Sequence, residues 1–70
     1  MDASTAIGLL KQQIVDGAKR IEHQRTVVQS LRADGHANLA EEADDFLGKL
    51  VELQANYVDQ LARLAGPSQD

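Results

Sequence analysis

Residues 34–45 hold the side chains best suited to chemistry: Asp34, His36, Asn38, Glu41, Glu42, Asp44 and Asp45, around Gly35. So many oxygen and imidazole donors in a short stretch invite a metal reading. A calcium loop of the EF-hand kind needs oxygen ligands at alternating positions, glycine at the sixth and glutamate at the twelfth. Counted from Asp34, glycine comes second and the alternation is missing. A di-iron bundle needs inward glutamates with Glu-x-x-His pairs, but Arg20 and Ala33 stand three residues before His23 and His36. The chain has no cysteine, so it offers neither a thiolate site nor a disulfide. No serine, histidine and acid trio, glycine-rich phosphate loop or pair of inward carboxylates appears. The expectation is therefore no catalytic residue, no metal ligand and no cofactor, hence no enzyme.

The same cluster has a local structural explanation. Gly35 can take the left-handed conformation that closes a helix, and Arg32 in the preceding turn suits the negative dipole end. Asn38 is placed to cap a second helix, with Glu41 three residues on, where a capping box has its reciprocal acceptor. Glu41, Glu42, Asp44 and Asp45 would then suit the positive end of that helix. His36 belongs to the turn, and His23 falls at a heptad position facing water. Imidazole is the side chain that ordinarily titrates nearest neutral pH, but neither position singles out a role.

The flanking elements read as two helices. Ile7, Ile14, Ile21 and Val28 recur every seven residues, and Leu10, Gly17, Gln24 and Leu31 form the neighbouring line. These are the a and d rows of a heptad. Ser4, or Asp2 before it, is the expected N-cap. The spacing predicts helix one over about 4–34, a turn at 35–38, helix two over about 39–65 and a tail at 66–70. Gly66 followed by Pro67 supplies the final stop. Both helices come to about 42 Å at 1.5 Å per residue. Similar lengths and a short link predict an all-α antiparallel hairpin in one domain of 70 residues.

Folding that hairpin at residues 36–37 sets Val28 opposite Phe46, Ile21 opposite Leu53, Gly17 opposite Tyr57 and Leu10 opposite Leu64. On this register Phe46, Leu53, Tyr57 and Leu64 complete the intra-hairpin seam. The apolar arc of helix two spans roughly 160°, more than helix one can cover. Leu47, Leu50, Val51, Gln54, Val58 and Leu61 are then left over on helix two, and Leu9, Val15 and Val27 on helix one. A chain this short rarely gains more than about 3–5 kcal/mol from one core. The simplest remedy is a homodimer forming a four-helix bundle, and the alternative is a helix of another protein in the same groove. Gln24, Gln54 and Gln60, on or beside the seams, either set register and partner choice or lie at wet edges.

Net charge is −4, unevenly divided. Residues 1–35 carry Lys11, Lys19, Arg20, Arg25 and Arg32 against four acids; residues 36–70 carry Lys49 and Arg63 against seven. The two halves should attract, with Arg25 and Arg32 reaching the acids that open helix two. Lys11, Arg25 and Arg32 share one line with Lys19 and Arg20 nearby, the one feature favouring a nucleic-acid-associated hairpin dimer. Against it stand the acidic total and the lack of aromatics among the bases. A metal-binding bundle ranks third. No stretch approaches the ~20 apolar residues that cross a bilayer, and no lysine-rich border with tryptophan suits its surface. The start lacks a secretory pattern, and the missing cysteine fits a reducing cytoplasm.

Gln24, Arg25, Val28, Leu31, Asp34–Gly35–His36, Ala43, Leu47 and Leu50 together resemble a set of small uncharacterised helical-hairpin proteins of proteobacteria. The resemblance covers roughly residues 18 to 64. It implies the hairpin and carries over no functional residue, because that group has no assigned activity. An acid and a threonine often follow the histidine there; Ala37 and Asn38 stand in their place here. The reading is a small non-enzymatic interaction or regulatory module of the bacterial cytoplasm.

Overall fold

The computed structural model describes residues 3–66. Within them α1 spans Ala3–Ala33 and α2 spans Ala37–Ala65. The two helices pack along each other antiparallel, and no strand occurs among the described residues. Neither helix contains proline, so each backbone ladder runs unbroken. The result is a rod of 51 × 19 × 16 Å.

The turn owes its form to Gly35, whose φ of 81° lies in the left-handed region. Gly35 N–H donates to Arg32 O (3.1 Å) and His36 N–H to Leu31 O (2.9 Å), the paired bonds of a Schellman motif with Gly35 at C′. Asp34 N–H also donates to Ser30 O at 3.0 Å. A Cβ at residue 35 would meet no atom within 4 Å, so the demand on this position is conformational alone. Gly35→Ala is expected to cost about 1 kcal/mol, and Gly35→Asn distinctly less, because asparagine tolerates this region best among residues with a side chain. Urea unfolding at unchanged m-value measures both.

Two expected caps are corrected. α2 begins at Ala37, so Asn38 and Glu41 lie inside the helix and the capping box is not formed. His36 is the N-cap and makes no side-chain cap bond; its carbonyl accepts from Ala40 N–H at 2.9 Å. The Schellman turn ends at His36, and the chain enters α2 directly. The first turn of α2 accordingly contains no acid. At the other end α1 already includes Ser4, and Asp2 lies outside the described residues. α2 stops at Gly66, whose N–H donates to Ala62 O at 2.9 Å; Pro67 lies outside the described residues.

The register is also corrected, by nearly one helical turn. Gly17 faces Gln54 rather than Tyr57, and Gln24 Nε2 donates to Ala43 O at 2.9 Å. Sliding α2 by three residues turns it about 60° relative to the expected seam. The helix-two seam becomes Ala40, Ala43, Leu47, Leu50, Gln54, Tyr57 and Leu61, all buried or half-buried. Leu47, Leu50, Gln54 and Leu61 thus belong to the hairpin's own seam, where they had been expected outside it. Phe46, Leu53 and Leu64 move out of it, at 51%, 42% and 44% exposure. Alanine at 40 and 43 suits the end nearest the turn, where a three-residue link draws the helices together. Helix one keeps its expected seam: Ile7, Leu10, Ile14, Gly17, Ile21, Gln24 and Leu31 are half-buried and Val28 is buried.

Among the described residues only Val28 and Ala40 are buried. The expected attraction of Arg25 and Arg32 to the acids of α2 gives no direct ion pair; among the described residues the direct pair is Arg63 with Asp59, within α2, at 2.7 Å. That pair is exposed, so it adds little to stability.

Candidate functional site

Two glutamines cross the seam in opposite senses. Gln24 Nε2 of α1 donates to Ala43 O of α2, and Gln54 Nε2 of α2 donates to Ile14 O of α1 at 2.8 Å. Gln60, the third glutamine singled out from sequence, is exposed. Gln54 Oε1 is buried with no hydrogen-bond partner and lies over Gly17, where any Cβ would collide with it. Gly17 is therefore the space that admits the Gln54 amide. Each amide ties the helices at a fixed axial position, because a one-residue slip would carry it away from its carbonyl.

These clamps separate two flanks. On one, Lys19, Arg20, His23 and Gln24 of α1 and Phe46 and Leu50 of α2 line a groove of about 320 Å³. Arg20, His23 and Gln24 stand three and four residues apart, as do Phe46 and Leu50, so each set shares a helix face. The floor is apolar and the α1 rim is cationic. Neither Lys19 nor Arg20 forms an ion pair with an acid among the described residues. On the other flank Arg25, Val28, Gln29, Arg32, Asp44 and Leu47 line a groove of about 210 Å³. The bases that looked like one stripe in the sequence are thus divided: Lys19 and Arg20 belong to one groove, Arg25 and Arg32 to the other.

Exposed apolar side chains lie on both flanks. Leu39 and Phe46 are each 51% exposed, Val15 50%, Val51 44% and Val58 48%. Of the nine residues expected outside the seam, Leu9, Val15, Val51 and Val58 are exposed and the others half-buried. The residues that sequence reasoning missed there are Leu39, Phe46 and Leu53, which the shifted register exposes. His23 and His36 are both exposed. Among the described residues no group of three metal-ligating side chains comes together, and no helix is long and apolar enough to cross a membrane. Chemically the grooves offer apolar contact beside fixed positive charge, which suits an amphipathic partner with acidic side chains. Comparison with protein-family models, curated proteins and solved structures found no match.

Proposed function

We propose that this chain is a small non-enzymatic interaction module that acts as a self-associating helical hairpin, in a reducing, cytoplasmic setting. The observation that carries the reading is surface. A compact folded monomer of 7.6 kDa would expose about 4,300 Å² by the scaling of surface with mass, whereas this hairpin exposes 5155 Å². That elongated surface carries the exposed apolar side chains Leu39, Phe46, Val51, Leu53 and Val58, which a second copy could cover. The radius of gyration, 15.9 Å, likewise exceeds the about 11 Å of a compact chain of this length.

The energetics agree. With only Val28 and Ala40 buried among the described residues and the rest of the seam half-buried, the core is thin, and at about 25 cal/mol per Å² each exposed leucine or phenylalanine is a substantial reserve of association energy. A second copy is the occupant always available at the concentration of the first. The division of basic residues between two grooves weighs against a phosphate-tracking surface.

Light scattering across a dilution series tests the reading. A mass of twice the chain's at micromolar concentration, falling towards one chain on dilution, is expected. A well-folded single chain throughout would overturn it.

A further inference from the structure

One row of exposed side chains on α2 has the symmetry of a self-complementary interface. Leu39, Phe46 and Leu53 are spaced by seven residues, so they lie on one flank of the helix, with Phe46 on the edge of the larger groove. Leu39 and Leu53 are equidistant from Phe46. Glu42 lies four residues before Phe46 and Lys49 three after, both exposed and both neighbours of it on the helix surface. Reversing the helix about Phe46 therefore exchanges leucine with leucine and, within one residue, glutamate with lysine.

We propose that the second copy docks on this flank, with the two α2 helices antiparallel and the two-fold axis at Phe46. This proposal rests on the self-association put forward above and adds the face, orientation and register. In this arrangement Leu39 meets Leu53 of the second copy, Phe46 meets Phe46, and Glu42 pairs with Lys49 twice, once on each side of the axis. α1 then runs parallel to the incoming helix, which brings the acids opening that helix level with Arg20. Lys19 and Arg20 on the groove rim gain the acidic partners they lack within one chain. The opposite flank, with Val51 and Val58, has no comparable symmetry: no base on α2 mirrors Asp44 about those valines.

The absence of cysteine makes the test clean. Phe46→Cys and Val58→Cys each give a chain with a single thiol, on opposite flanks. Under mild oxidation the first is expected to form a disulfide-linked dimer at least about tenfold faster, because its two thiols meet at the axis. Lys49→Glu and Glu42→Lys are each expected to weaken the dimer about tenfold, since two attractive pairs become repulsive. The double variant is expected to recover to within about threefold of the parent. All four positions are exposed, so circular dichroism should show unchanged helicity. Equal or faster crosslinking at Val58→Cys, or charge reversals that simply multiply, would overturn this face while leaving self-association standing. A monomeric parent chain would overturn both.

Discussion

Val28→Asp is expected to abolish the folded hairpin at 25 °C, and Val28→Ala to lower its unfolding free energy by about 2 kcal/mol. Val28 is 4% exposed and, with Ala40 at 2%, forms the buried core among the described residues. It stands where the short turn holds α1 and α2 together, so little relaxation can fill the space left by truncation. An aspartate there loses the apolar contact and buries a carboxylate; Arg25 and Arg32 line the same groove as Val28, but an ion pair with either does not replace the packing lost between the helices. Against a total of about 3–5 kcal/mol for a core of this size, either loss is a large share. Val58→Asp, the same exchange at a residue 48% exposed, is expected to change stability by no more than about 0.5 kcal/mol. Urea denaturation followed by circular dichroism separates the two sites.

The second large effect belongs to Gly17. Gly17→Leu is expected to destabilise by about 2 kcal/mol even though leucine is the better helix former, because its side chain takes the space of the Gln54 amide and breaks the bond to Ile14 O. Gly17→Ala is expected to be close to neutral. The gain of about 1 kcal/mol in helix propensity is offset by the displaced amide. In a Gln54→Ala background the amide is gone, and the same Gly17→Ala change should stabilise by about 1 kcal/mol. A double-mutant cycle over these residues should thus show coupling on the order of 1 kcal/mol. Additive effects would mean that Gly17 and Gln54 do not share one space.

The seam of α1 was legible in the sequence because its apolar stripe is narrow. Ile7, Ile14, Ile21 and Val28 recur every seven residues with Leu10 and Leu31 beside them, whereas Leu9, Val15 and Val27 continue no such row. Gly35 was legible too, since a glycine after a basic last turn has few other uses. The seam of α2 was not. Its apolar arc is so wide that stripes about 60° apart are both usable, and folding at residues 36–37 selected the one with Phe46 and Leu53. What decided between them was the position of the turn, and its signal was misleading: Asn38 and Glu41 have the spacing of a capping box, whereas His36, the true N-cap, makes no side-chain bond that a sequence could announce. Ala40 and Ala43 carried the information, as small residues next to a tight link. The split of Lys19 and Arg20 from Arg25 and Arg32 follows from heptad position only once that register is fixed.

Glutamine at positions 24 and 54 gains a physical role from the same register. Both amides spend a donor on a carbonyl of the facing helix, so a slipped hairpin would leave them buried without that partner, at a cost of about 1–3 kcal/mol each. A thin seam of mixed alanine, leucine and isoleucine discriminates weakly between registers, and two polar ties supply what packing alone does not.

Thermal unfolding at protein concentrations spanning a hundredfold range tests self-association most directly. If an exposed apolar flank is covered by a second copy, the midpoint should rise by about 5–10 °C from the lowest concentration to the highest. A midpoint independent of concentration, for a chain that sediments at 7.6 kDa, would contradict it.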